Sequence, residues 1–288
     1  MDESGKKVLR EKILALAKNE LRVSCAESDG EPDLLASRIG GRPAVPEGFE
    51  RPYYYGAGYY EENFENRPMS FLLQVNLKDV ADLDEENLLP KTGILSFFYE
   101  VETMRWGFDP KDKGCSKVFY FPEGTELHFA EMPEDFCDIG VLPEFDVDIE
   151  KHISLYNECD LDQLDCDWDD YEECCNELGY EFDDMGEFTK LLGYPDVIQS
   201  PMEEDCERLA RGYRCGSPED YDAIPDAEKD DIKAKAEEWI LLFQMGTVAN
   251  DEGYELMFGD CGHIYFWIKK YDLKNAIFDN VWLIAQCG

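Results

Sequence analysis

Phe71-Leu72-Leu73-Gln74-Val75 and Leu241-Leu242-Phe243-Gln244-Met245 read as one buried strand written twice, 170 residues apart. A second pair lies at almost the same spacing: Gly93-Ile94-Leu95-Ser96-Phe97-Phe98 and Gly262-His263-Ile264-Tyr265-Phe266-Trp267 are 169 residues apart. Upstream, Ile39-Gly40-Gly41-Arg42-Pro43 has a fainter echo in Leu191-Leu192-Gly193-Tyr194-Pro195. Apolar strands resemble one another by chance. A spacing held to one residue across two strands and the turn between them is instead what a repeated structural unit leaves behind. The expectation is an α+β fold of two pseudo-repeated, mainly antiparallel sheet units with peripheral helices and an acidic helical insertion in the middle.

Outward from these strands, residues 6–21 carry Leu9, Ile13, Leu16, Ala17 and Leu21 at the helical period, which predicts an N-terminal helix. Gly-Gly and spaced prolines from Arg38 to Gly48 mark irregular backbone. The Tyr-rich run from Tyr53 to Tyr60 reads as a loop, and Lys117 to Phe121 as a strand. Short helices are expected over 149–157, 168–178 and 187–192. Ser217-Pro218-Glu219-Asp220 offers an N-cap serine, a proline at the first helical position and an acid at the third. The charged run Asp226 to Glu238 predicts a further helix, and strands follow over 254–258 and 281–286. One domain is expected over 1–288, with half 1 at about 27–121, the acidic region at 122–190 and half 2 at 191–288.

The net charge of −39 dominates the composition. Nucleic acid is excluded as a partner, because phosphate backbones need a basic footprint. Anionic membrane surfaces are excluded for the same reason. Between Phe121 and Lys190 stand 24 acids against two lysines, so more than half of the net charge sits in these 70 residues. Such a field suits a basic protein partner. Asp160, Asp162, Asp165, Asp167, Asp169 and Asp170 are the candidate contacts. Set against a calcium-binding loop, Asp165, Asp167 and Asp169 place Asp170 where glycine is needed and Asn176 where the closing glutamate belongs. No metal and no cofactor is therefore expected.

The 11 cysteines are odd in number and form no C-x-x-C pair, so they read as reduced, small hydrophobes. No run is long enough to span a membrane. The start, Met1 to Lys7, has no signal-peptide core, which makes the cytoplasm the expected location. No G-x-S-x-G elbow or phosphate-binding loop is present, and only His128, His152 and His263 are available as imidazole bases.

Five ordered segments together resemble the YwqG-like family, bacterial proteins of unknown function. They are Arg38-Ile39-Gly40-Gly41 with Pro43, Pro46 and Gly48-Phe49; Phe71 to Leu77; Leu89 to Phe98; Trp106-Gly107-Phe108-Asp109-Pro110; and Gly259 to Ile268. Phe258 stands where that family suggests tryptophan, and Cys261 where it suggests a small residue. The resemblance implies an α+β fold with internal duplication. It implies no activity, cofactor or catalytic residue.

Two functional readings follow. The first is a non-catalytic interaction protein whose acidic face engages a basic partner, as an inhibitor or immunity-like protein would. The second is an enzyme or small-ligand binder using a cleft between the halves, with Arg38, Gln74, Asp109, Gln244 and Asp260 as candidate ligand-binding residues. Arg38 has an internal alternative in an ion pair with Asp109 or Asp260. Gln74 and Gln244 have one in bonding to backbone.

Overall fold

The computed structural model describes residues 1–28, 30, 33–57, 63–155, 164–179 and 189–288. The chain opens with α1 (Glu3–Leu16) and β1 (Lys18–Glu27), followed by β2 (Arg38–Ile39), β3 (Ala44–Pro46), β4 (Tyr53–Ala57) and β5 (Phe64–Pro68). Then come β6 (Ser70–Asn76), α2 (Leu77–Val80), β7 (Ile94–Tyr99), β8 (Ser116–Phe121), β9 (Leu127–Phe129) and β10 (Phe145–Ser154). The remainder holds α3 (Trp168–Glu177), β11 (Thr189–Leu192), α4 (Glu203–Ala210), α5 (Pro218–Asp222) and α6 (Asp226–Ala236). It closes with β12 (Trp239–Met245), β13 (Val248–Ala249), β14 (Glu255–Leu256), β15 (His263–Lys269), α7 (Lys270–Lys274) and β16 (Trp282–Gln286).

Ten strands form one sheet in the order β16-β15-β12-β11-β1-β10-β2-β6-β7-β8, and every pairing in it is antiparallel. At its middle β1 and β10 pair over ten residues, from Lys18↔Ser154 to Glu27↔Phe145. Phe97 on β7 meets Phe243 on β12 at 4.5 Å and Phe266 on β15 at 5.4 Å between ring centroids. Strands so far apart in the order touch only if the sheet curls until its two arms face each other. The core lies between those arms, with Leu73, Val75, Leu95 and Phe97 from one and Leu242, Met245, Ile264 and Phe266 from the other. Burying each such side chain contributes about 1.5–3 kcal/mol, so the inter-arm seam is a principal source of stability.

The two arms match in detail. Arg38 pairs with Gln74 across β2 and β6, as Lys190 pairs with Gln244 across β11 and β12. The ladder slips between Phe71 and Leu73 in one arm and between Leu241 and Phe243 in the other. Gly40 and Gly41 both have φ of 66°, and Leu192 and Gly193 have 61° and 74°. A Cβ on Gly41 would come within 3.0 Å of the Glu144 side chain, and one on Gly193 within 2.8 Å of Glu20, which is why both corners need glycine.

Several expectations change. The N-terminal helix expected over 6–21 runs Glu3–Leu16, capped by Asp2, whose Oδ1 accepts from the Gly5 amide at 2.8 Å. It stops because Ala17 turns extended at ψ 141°, and Leu21, on the expected helical face, belongs to β1. The helix expected over 149–157 is strand β10 as far as Ser154, and 156–157 lie outside the described residues: Asp146, Asp148 and Glu150 alternate with Val147 and Ile149, exposed against half-buried, which is the two-residue period of a sheet. The helix expected over 187–192 is β11 where it is described. Region 122–190 thus supplies strands β9 and β10 and part of the sheet as well as α3. The Tyr-rich loop opens as β4, paired with β5. Seven helices are present among the described residues, and none is long and apolar enough to cross a membrane.

Candidate functional site

Arg38 is buried, yet its fork is already occupied. Nη1 donates to the Asp33 carbonyl at 2.9 Å, and Nη2 donates to the Arg42 carbonyl at 2.7 Å and to Gln74 Oε1 at 3.4 Å. Its nearest carboxylate is Glu144, 4.0 Å from Nε, rather than Asp109 or Asp260. Gln74 accepts from the Ala44 amide at 3.2 Å and donates to the Leu34 and Ala36 carbonyls at 3.1 and 2.9 Å. Gln244 accepts from the Asp196 amide at 2.8 Å and donates to Asp196 Oδ2 at 2.7 Å. These residues hold corners of the sheet together. Asp260 is exposed, its carbonyl accepting from the Gly288 amide at 2.9 Å.

Asp109 alone of the five lines a cleft, of about 790 Å³, that both halves build. One wall is the paired strands β4 and β5, which contribute Tyr54, Tyr55 and Phe64. Tyr55 and Phe64 are exposed and lie 5.6 Å apart, ring to ring. The opposite wall comes from Ser200 and the stretch Arg214 to Tyr221 at the head of α5. There Ser217 and Asp220 form the expected capping box, each side chain bonded to the other's amide.

The segment Arg105 to Asp112 forms the floor. Its backbone is stitched to the second half: the Trp106 carbonyl accepts from the Ala285 amide at 2.9 Å, and the Phe108 carbonyl from the Cys215 amide at 2.9 Å. The Gly107 carbonyl accepts from Trp282 Nε1 at 2.9 Å. Gly107 has φ of 81°, and a Cβ there would sit 1.8 Å from the Leu283 carbonyl oxygen, so only glycine lets the segment lie this close to β16. Asp109 Oδ1 caps the following turn by accepting from the Lys111 amide at 2.9 Å.

Among the described residues the cleft lining is near neutral in a chain of −39, carrying Arg105, Lys111 and Arg214 against Asp109, Asp112 and Asp220. Burial pushes the Asp112 carboxyl up, against the opposing pull of Arg105. Burial, then Asp112, pushes the Tyr54 hydroxyl up to about 12; burial, then Asp205, does the same to Tyr221. Burial and Asp205 hold the Cys215 thiol well above its ordinary value, so it is a thiol and not a nucleophilic thiolate at neutral pH. No histidine is among the described residues lining the cleft.

A family model described as Domain of unknown function (DUF1963) matches residues 37–287. The chain belongs to the DUF1963 family. No curated protein matches it. A family of unknown function is what the motif resemblance implied. The DUF1963 match begins just before Arg38 and takes in the whole cleft, while α1 and β1 precede it.

Of the six aspartates expected to meet a partner, Asp160 and Asp162 lie outside the described residues. Asp167 caps α3, accepting from the Asp170 amide at 2.9 Å, and Asp170 accepts from the Met1 ammonium at 2.9 Å. Asp165 and Asp169 are exposed. Alongside, α1 supplies Lys6 to Glu173 at 2.5 Å and Arg10 to Glu177. Much of this acidic helix is thus answered from within the chain. The cleft residues Arg105, Lys111 and Arg214 are invisible to periodicity. Their only signal is position, beside the Trp106–Pro110 segment and just ahead of the Ser217 cap.

Proposed function

We propose that this DUF1963 protein is a non-catalytic binding protein whose site is the cleft between its halves. The observation that carries the reading is the cleft's construction: an aromatic wall from one half and a polar wall carrying Tyr221 from the other, over a floor that hydrogen bonds hold in place. Preformed concavities that set aromatic faces beside fixed polar groups are where small ligands bind. Among its described lining residues the site has no histidine, and burial holds its thiol protonated, so neither a thiolate nor an imidazole is offered there for nucleophilic or general-base work at neutral pH. We further infer that the halves are diverged copies of one unit. Matched registers, ladder slips and corner conformations support this.

Ser200, exposed on the cleft wall, gives the test. Ser200→Trp fills the opening without touching the core. In a small-molecule thermal-shift screen, hits on the wild type should lose their shift in Ser200→Trp, whose own melting temperature stays unchanged. Hits that persist undiminished in the variant count against the cleft.

A second reading keeps the acidic face as a docking surface for a basic protein. The row Asp146, Asp148 and Glu150 along the exposed side of β10 favours it. Charge reversal at these three positions should then abolish salt-sensitive capture of a basic protein. Capture unchanged by the reversal counts against it.

A further inference from the structure

Resting on the reading of the cleft as a ligand site, we infer that its ligand is an anion, a carboxylate or phosphate carried on a flat apolar body, although the protein itself is strongly acidic. The case lies in how the six charges of the lining are engaged. All three acids hold the local backbone. Asp220 accepts from the Ser217 amide at 3.1 Å and hydroxyl at 2.9 Å. Asp109 accepts from the Lys111 amide at 2.9 Å, and Asp112 from the Gly107 amide at 3.2 Å.

The cations are not engaged to the same degree. Arg214 Nε stands 3.8 Å from Asp109 Oδ2, and Arg105 Nε 3.8 Å from Asp112 Oδ1, both beyond hydrogen-bond reach. Arg105 Nε is buried with no hydrogen-bond partner among the described residues, although its Nη2 donates to the Ala57 carbonyl. No carboxylate among the described residues lies within 4.0 Å of Lys111 Nζ. In a chain with 66 acids and 27 bases, three cations at one concavity, two of them ion-paired only at 3.8 Å and one with no carboxylate within 4.0 Å among the described residues, leave a surplus of donors. A ligand that accepts charge-assisted hydrogen bonds answers that surplus, and guanidinium suits planar carboxylates and phosphates. Tyr55, Phe64 and Trp106 supply the apolar faces for the rest of the ligand.

The test uses the whole chain and four probes of one shape: phenyl phosphate and benzoate as the two anion sources, benzyl alcohol as the neutral control, and benzylamine as the cation. Binding is read by ligand-observed NMR and by calorimetry. At least one anion should bind about tenfold or more tighter than benzyl alcohol, and benzylamine should bind weakest. The exposed pair Lys111→Gln and Arg214→Gln, which leaves the core untouched, should weaken the anion about tenfold, since a hydrogen bond to a charged group carries roughly that much. The neutral probe should be unaffected.

Benzylamine binding as well as the anions, or anion binding unchanged in the double variant, overturns the anion assignment. If Ser200→Trp still abolishes whatever does bind, only the sign of the ligand falls. If no probe's binding responds to Ser200→Trp, the cleft reading falls with it.

Discussion

Lys190 is the least expected residue in the core: fully buried, with Nζ 3.1 Å from Glu20 Oε2 and 2.7 Å from Asp196 Oδ1. Burial alone would push the Glu20 carboxyl up. Lys190, then Arg22 with Nε at 2.6 Å, outweigh burial and hold Glu20 below its ordinary value. A buried pair of this kind adds little net stability, but removing one member strands the other's charge in a poorly solvated site. Lys190→Met is therefore expected to cost about 3–5 kcal/mol, and adding Glu20→Gln should recover part of it. Urea denaturation of both variants checks this; a single variant that unfolds at the wild-type midpoint would sink it. The sign with pH follows from the lowered value. The contribution of Glu20 is present above the ordinary carboxylate range and is lost as pH falls through its lower, folded value. In Lys190→Met the main force lowering Glu20 is gone, so that loss should begin at higher pH.

At the scale of elements, the segment around Gly107 joins the two arms, because it bonds to β16 of one arm while belonging to the loop that follows β7 of the other. Gly107→Ala places a side chain on a left-handed φ and against the Leu283 carbonyl, so the segment must lift off β16. We expect a loss of about 3 kcal/mol or more, and faster hydrogen exchange at the Ala285 amide, which bonds to Trp106. An Ala285 amide as protected as in the wild type would refute the role given to this segment. Much at this scale was legible in the sequence. The four strands of the two look-alike sequence pairs and the Ser217 cap could be read because local pattern and tertiary role coincide there. What escaped was set by distant partners. β10 hid its alternation under an acidic composition, and β1 continued the apparent period of α1. Asp109 was singled out as a partner for Arg38, which meets Glu144 instead, whereas Arg105, Lys111 and Arg214 meet only once the arms have curled together.

The whole molecule carries −39, and a compact body of one sign is destabilised by its own field. Added salt shortens the reach of that field to about 10 Å at 0.1 M, so stability near pH 7 should rise on going from low salt to about 0.5 M NaCl. Lowering the pH relieves the same repulsion, and individual groups reinforce the trend. Burial pushes the Asp112 and Asp205 carboxyls up, against Arg105 and Arg208 respectively, so each gives back stability when it protonates on the way down. Glu20 and Glu207 act in the opposite sense. Burial would raise Glu207, but Lys269, then the Trp239 indole and Arg211, overcome it, and both glutamates lose their stabilising partners only below the ordinary carboxylate range of about 4. The stability maximum is therefore expected on the acid side of neutrality, with a steep fall beneath about pH 4. Urea midpoints between pH 3 and 8, at low and high salt, measure this without relying on heated protein near its isoelectric point of about 4.2. A maximum at pH 8 that salt leaves unmoved would mean that the charge is balanced locally, and the excess of acids would then have to be sought in what the protein binds.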